Sequence, residues 1–176
     1  MRECAHDSRL IEIASGWLGA LATPFKATLF DKSTDANWLV AWHQDTALPM
    51  MSRQDAHGWG PWSEKDGITY AHAPASVLSR IIALRVHLDD SNAANGPLRV
   101  LPATHEQGVL TDAQVHELSK QISPVECHAP AGGVIAMRPL IIHASSKITT
   151  AAPRRVLHIE YAESLDPEPG MKLRVA

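Results

Sequence analysis

The sequence predicts a mainly β fold, a closed or sandwiched antiparallel sheet of jelly-roll type. Three observations carry that prediction. Short apolar runs recur along the chain, each bounded by turn-forming residues. Only one clear helix interrupts them, and helices and strands do not alternate as they would in a doubly wound parallel fold. At 176 residues and 45% hydrophobic content the chain is long enough to bury a core.

Taken in order, apolar residues from Leu10 to Leu21 recur at helical spacing and Pro24 follows, which predicts an amphipathic helix over 8–22. The period then changes. Runs rich in Val, Ile, Leu and Trp at 26–30, 38–42, 80–88, 98–101, 133–137, 139–143 and 155–161 predict strands. Thr111 followed by Gln114 is a capping-box pattern opening a short helix to about Lys120. Residues 46–75 are expected to form one long loop carrying Gly58-Trp59-Gly60-Pro61-Trp62, of the kind that serves as a lid or binding loop. With no repeat, linker or low-complexity tract, residues 1–176 are expected to form a single domain, the barrel spanning about 26–162.

Charge and cysteine content narrow the function classes. Sixteen basic residues stand against 19 acidic, which gives no broad basic field for nucleic acid or a membrane surface. No apolar run reaches the length of a membrane span, the start has no signal-like segment, and Cys4 and Cys127 are too few for a disulfide framework. The expectation is a soluble cytoplasmic protein acting on a small molecule. Ten histidines against two cysteines lean toward imidazole chemistry.

A mononuclear non-haem iron site uses two histidines and one carboxylate on one face of the metal. His-x-Asp on a strand supplies two of these at once, because residues i and i+2 point to the same side. Three such pairs occur: His43 with Asp45, His87 with Asp89, and His158 with Glu160. Chance predicts about one from ten histidines and 19 acids, so context must separate them. His43 and Asp45 follow a Trp-flanked strand and precede the long loop, at a barrel rim. Asp89 and Asp90 run into Ser91-Asn92 and Gly96-Pro97 and read as turn-initiating residues. His158 and Glu160 lie inside the last strand, on a packed or solvated face. His143, closing the run 139–143, is the best-placed third ligand. If 139–143 and 154–161 pair as a hairpin, His143 returns beside Arg154 and Arg155, and a guanidinium there suits the far carboxylate of an oxo-diacid. Alternation alone leaves open which arginine faces inward.

Residues 29–33 (LFDKS), 37–38 (NW), 42–45 (WHQD), 87–105 (HLDDSNAANGPLRVLPATH), 137–146 (MRPLIIHASS) and 154–162 (RRVLHIEYA) together resemble the phytanoyl-CoA dioxygenase family of iron(II)- and 2-oxoglutarate-dependent oxygenases. The resemblance implies a double-stranded β-helix, a cupin-like jelly-roll barrel, with a few flanking helices. It implies Fe(II), 2-oxoglutarate and O2 as cofactor and co-substrates, with succinate and CO2 released as a small molecule is hydroxylated. By position it places the metal on His43, Asp45 and His143, and the far carboxylate of 2-oxoglutarate on Arg154, eleven residues after the distal histidine. Ser145, Thr28 and Arg85 fall where members contact the same co-substrate. His87 and His105 belong to family segments with structural roles.

Related halogenases lack the carboxylate and bind chloride in its place, so Asp45 speaks for hydroxylation. The chain departs from the family in having Ala103 where glycine is usual, and in the short stretch of about 25 residues before the first matching strand, shorter than the N-terminal framework members carry. Trp59, Trp62, His57 and Tyr70 from the long loop, and Arg138, are candidates for the substrate pocket. Two rival readings remain: a cupin-like metalloenzyme that does not use 2-oxoglutarate, which would have no need of Arg154, and a non-catalytic metal-binding barrel.

Overall fold

A computed structural model describes residues 2–175. Its elements in chain order are α1 (Arg2–Ala5), α2 (Ser8–Leu18), β1 (Thr23–Lys32), β2 (Val40–His43), β3 (Ala47–Met50), β4 (Trp62–Lys65), β5 (Ile68–His72), α3 (Ala75–Leu78), β6 (Ile81–His87), β7 (Leu98–Val100), α4 (Asp112–Gln121), β8 (Val125–Cys127), β9 (Val134–Met137), β10 (His143–Ser145) and β11 (Arg154–Ala162). Among the described residues no helix is long and apolar enough to cross a membrane.

Two antiparallel four-stranded sheets, ordered β1-β11-β6-β9 and β2-β10-β7-β8, form the predicted jelly roll. β11 is paired along both edges, from Thr23↔Ala162 to Lys32↔Arg154 on one side and from Val156↔His87 to Ala162↔Ile81 on the other. Residues directly opposite in a ladder share a face, so Lys32 with Arg154 and Thr28 with His158 turn inward toward the second sheet. The outward residues Leu157, Ile159 and Tyr161 pack with Ile82 and Leu84 beneath Ala14, Leu10, Ile11 and Leu18 of α2. The Tyr161 hydroxyl donates to the carbonyl of Ala5, tying the N-terminal helices to the central strand.

α2 stops at Leu18, short of the expected Ala22, because Gly19 takes the left-handed conformation at φ 74° and its N–H caps the carbonyl of Ser15. α4 carries the capping box that the sequence predicts, with reciprocal bonds between Thr111 and Gln114.

Two expectations need correction. Residues 46–75 are not one loop but a third sheet, ordered β3-β5-β4. Its hairpin turns on Asp66 and Gly67, with φ of 52° and 71°, the pair of left-handed residues that a two-residue hairpin requires. Residues 139–142 are a turn rather than a strand, and β10 does not pair with β11. It lies in the other sheet between β2 and β7, so His143 and Arg154 meet across the interior rather than along a hairpin.

Ala103, at the family's glycine position, is left-handed with φ 64° and ψ −1°. A Cβ there crowds the backbone by about 1 kcal/mol or more. Ala103→Gly is therefore expected to stabilise the protein by about 0.5–1 kcal/mol net of the added chain entropy, measurable as a raised urea midpoint with unchanged slope.

Candidate active site

A cavity of about 100 Å³ opens between the two sheets. At one end, His43 and Asp45 come from the end of β2 and the residues after it, and His143 from the start of β10 directly opposite His43 in the ladder. Three side-chain ligand atoms, one from each residue, lie within 4.8 Å of one another. Nε2 of His43 is 3.4 Å from one oxygen of Asp45, and Nε2 of His143 is 3.5 Å from the other.

The surrounding backbone fixes these orientations. Nδ1 of His43 bonds the carbonyl of Ala41, and Nδ1 of His143 bonds the carbonyl of Ile141, each at 2.9 Å. Because a carbonyl can only accept, Nδ1 of each ring carries a proton; the Nε2 that faces the carboxylate donates to it when the ring is protonated and offers its lone pair to a metal when the ring is neutral. Between them Gln44 points the opposite way, donating to the carbonyls of Gly108 and Leu140 and accepting from the N–H of Leu110. The amide of Asp45 bonds the carbonyl of Pro139, and that of Ile142 bonds Thr104 Oγ1. A β-bulge in β2 opposite Ala144 re-aims the ladder just beyond the histidine pair.

Electrostatics agree with the geometry. Burial opposes charge on Asp45, but hydrogen bonding from His43 and the positive potential of His143 and His158 hold its carboxyl well below the usual carboxylate range. Burial holds His143 below the normal histidine value. Burial also opposes charge on His43, but the Asp45 carboxylate outweighs it and raises that pKa. Two imidazole nitrogens and one carboxylate, converging and braced from behind, suit a divalent metal ion with positions left open.

The cavity's other end is cationic. Arg154 is buried at 3% exposure and its Nη2 donates to Ser145 Oγ at 3.2 Å. Lys32 is buried at 1%, and its Nζ donates to the same Oγ at 2.7 Å and to the carbonyl of Ser146. Burial, with Arg154 and Arg85 nearby, lowers the Lys32 pKa to about 8. Arg154 Nη1 is buried without a partner, and among the described residues no carboxylate pairs with either cation. Phe30, Val40 and Leu98 supply apolar walls of the cavity.

The structure thus brings together His43, Asp45, His143, Ser145, Arg154 and Arg85 around one cavity. Arg155 points outward, clamped by Asp89 through its backbone N–H, Nε and Nη2 at 2.8–2.9 Å. Asp89 thus braces the far strand, and it is Asp90 that holds the turn region, accepting from the N–H of Ala131. Thr28 faces inward beside His158 in the ladder but does not line the cavity.

The substrate candidates stand elsewhere. Trp59 is in the core beneath the third sheet, its Nε1 bonded to Glu168. Trp62 packs against the same core, with Arg53 over its ring. Arg138 binds the carbonyls of Ser79, Ile81 and Trp17, at the end of α2. Paired tryptophans and an arginine find these partners because the third sheet and α2 supply apolar surface and free carbonyls that the sequence does not display. His57 is exposed and Tyr70 lies on β5.

Sequence reasoning missed Lys32, which lies two residues beyond the expected strand 26–30, and His158, whose side chain faces the cavity. Glu160 is equally buried, paired with Lys26 at 2.7 Å. The signal for Lys32 was available in the LFDKS segment, where it lies two residues beyond Phe30 on the same strand face.

Fold and cluster together define a class: jelly-roll proteins with a His-x-Asp pair at the end of one strand and a distal histidine on the strand paired with it. The chain belongs to the phytanoyl-CoA dioxygenase family, whose model matches residues 5–156. It is 28% identical over 163 residues to L-proline trans-4-hydroxylase of Streptomyces griseoviridis, an alignment that covers 78% of this chain and 52% of the relative. It thus spans about half the length of that curated relative. The fold is similar to AviO1 from Streptomyces viridochromogenes (TM-score 0.66, 23% identity, 92% of this chain and 60% of that one). It is also similar to EctD from S. alaskensis, solved with 2-oxoglutarate and 5-hydroxyectoine (TM-score 0.67, 22% identity, 92% and 51%).

Metal binding tests the cluster. Anaerobic titration with Fe(II), or with Mn(II) in air, is expected to give one site per chain. Asp45→Ala should weaken it beyond the ~10–100-fold typical of losing only a supporting hydrogen bond. Asp89→Ala, from the competing His-x-Asp pair, should leave it unchanged.

Proposed function

We propose that this protein is an Fe(II)- and 2-oxoglutarate-dependent dioxygenase that hydroxylates a small molecule. One observation carries the reading: a single cavity holds a braced His43-Asp45-His143 cluster at one end and unpaired Lys32 and Arg154 at the other. That polarity suits a 2-oxo diacid, its oxo-acid end at the metal and its far carboxylate on the guanidinium. The structure of EctD contains 2-oxoglutarate, which supports the same assignment.

Iron held by the cluster would supply, with O2 and 2-oxoglutarate, the oxidative decarboxylation to succinate and CO2 that drives hydroxylation. The chain's own residues do the rest. His43 and His143 present Nε2 because their Nδ1 protons are held by backbone carbonyls, and Asp45 stays ionised at any physiological pH. Arg154 and Lys32, steered by Ser145 Oγ, orient the diacid. Phe30, Val40 and Leu98 exclude water from its hydrocarbon middle. A metalloenzyme without 2-oxoglutarate, or a non-catalytic barrel, would have no use for two buried cations that lack acidic partners among the described residues. The cytoplasm, where Cys4 and Cys127 stay free and iron stays reduced, is the compartment we assign. The relatives named for proline and hydroxyectoine favour small polar substrates.

The purified protein with Fe(II) is expected to turn 2-oxoglutarate into succinate slowly even without substrate, and Asp45→Ala to abolish this. Anaerobic Fe(II) plus 2-oxoglutarate should give a charge-transfer absorption in the visible range; its absence removes the main support for the hydroxylase reading. Arg154→Ala is expected to weaken 2-oxoglutarate binding by about 10–100-fold, the scale of charge-assisted bonds to a carboxylate, and Arg155→Ala by less than about threefold. Equal effects would assign the clamp wrongly.

A further inference from the structure

The metal cluster has a second side. Along β11 the inward residues run from Arg154 through Val156 and His158 to Glu160, each roughly 7 Å beyond the last. His158 stands at the level of the cluster, since it lines the cavity and its field reaches Asp45. Its Nδ1 is taken by Arg85, whose Nη1 donates at 3.1 Å while the guanidinium lies 5.4 Å over the Phe30 ring. Glu160 is one step further from Arg154. Neither it nor its partner Lys26 lines the cavity assigned to the oxo acid.

Lys26 and Glu160 stand opposite one another in the β1–β11 ladder, just past a register shift between Pro24 and Lys26, and Nζ lies 2.7 Å from Oε2. The pair is lopsided. The Glu160 side chain is sealed at 4% exposure, whereas that of Lys26 is open at 25%, so the carboxylate sits behind and the ammonium in front. On its other flank Glu160 faces Ala83 of β6, which has no polar group to offer it. An ammonium carries three donors; Glu160 engages one, and among the described residues no other acceptor bonds Nζ. Burial opposes the charge on Lys26, but Glu160, Asp45 and Tyr70 outweigh it and raise its pKa. Asp45 acts on it from the metal cluster and Tyr70 from β5 of the third sheet.

We propose that Lys26 anchors a carboxylate of the substrate on the side of the metal cluster away from the oxo-acid cavity, and that Glu160 positions it from behind. The inference rests on the proposed function. A buried ion pair adds little net stability, because desolvation offsets the attraction, so a pair with spare donors beside a reaction centre speaks for recognition. A substrate reaches the ammonium before the carboxylate, which favours an acidic group and rejects a cationic one. The carboxylate has two possible sources, a zwitterionic amino acid or a plain acid.

Paramagnetic relaxation on the full chain loaded with Mn(II) and 2-oxoglutarate tests this with three probes: acetate, L-proline, and L-prolinamide, which keeps the ammonium of proline and lacks the carboxylate. Mn(II) at the cluster broadens the NMR signals of any small molecule held beside it. Wild type is expected to broaden acetate and L-proline and to leave L-prolinamide sharp. Tighter binding of L-proline assigns a zwitterion, and equal or tighter binding of acetate a plain acid; either supports the anchor. Lys26→Met should weaken both carboxylates by about 10–100-fold and leave the affinities for Mn(II) and 2-oxoglutarate unchanged. Glu160→Leu should reproduce that loss, and Glu160→Gln, which keeps an acceptor for the ammonium, should restore most of the binding; a silent Glu160→Leu overturns the positioning role.

Three results overturn this inference alone: L-prolinamide broadened as strongly as L-proline, carboxylate binding unchanged in Lys26→Met, and no probe bound by a wild type that holds Mn(II) and 2-oxoglutarate normally. Wild type that binds neither Mn(II) nor 2-oxoglutarate sinks both this inference and the hydroxylase reading. Lys26→Met strands a buried carboxylate. If it melts early, the double variant Lys26→Met with Glu160→Leu replaces the pair by apolar side chains, a change that buried ion pairs often tolerate, and wild-type carboxylate binding from it likewise overturns the proposal.

Discussion

The pairing of β11 along both of its edges is the constraint on which the rest depends. A strand hydrogen-bonded to β1 and β6 over most of its length cannot slip, because a shift of one residue would exchange its two faces. That register puts Leu157, Ile159 and Tyr161 under α2, and Arg154, His158 and Glu160 into the barrel. It also fixes their partners on the neighbouring strands: Lys32 beside Arg154, Arg85 beside His158 and Lys26 beside Glu160. Each polar pair in the interior is thus a consequence of one ladder.

The second sheet answers with a different device. β2 and β10 are short, so the ladder alone would hold the histidines loosely. Orientation comes instead from bonds made around the ligands: the carbonyls two residues before each histidine take the Nδ1 protons, and Gln44 ties the segment between the ligands to the turns at Gly108 and Leu140. Gly96 completes the frame. It is left-handed, with φ 67°, and a Cβ on it would collide with the carbonyl of Ser146, while its own carbonyl accepts from Ser145 Oγ. The hydroxyl that steers both cations at the far end is therefore held by backbone on one side as well as by its own strand.

Much of this was legible in the sequence. Apolar runs marked most strands, and the His-x-Asp pair could be chosen from three because of what flanked it. The cavity role of His158 was not legible, because in a strand buried on both faces polar alternation looks the same whether one face meets solvent or a polar interior. Lys32 lay beyond the predicted strand 26–30 and nothing local marks it as buried; its acceptor, Ser145, is 113 residues away in sequence. The third sheet was missed because Asp66-Gly67 was read as loop composition rather than as a hairpin turn. The false pairing of 139–143 with 154–161 came from assuming that neighbours in sequence are neighbours in the sheet, which a jelly roll's crossing connections violate.

The interior's charge distribution links stability to occupancy. Among the described residues Lys32, Arg85 and Arg154 are buried without acidic partners, and a desolvated cation is costly unless it is paired and fully hydrogen-bonded. Burial lowers the pKa of all three, the direction expected when the charged form is penalised. The fold tolerates this because each cation is braced by neighbours such as Ser145, His158 or Phe30, and because the two flanking apolar layers anchor the strands independently of the cavity. An anion entering the cavity therefore relieves a penalty already present in the folded chain. Binding and folding draw on the same interactions, so ligand affinity appears as added stability in proportion to occupancy. The preformed positive interior makes the cavity selective for anions before any contact specific to one ligand is formed.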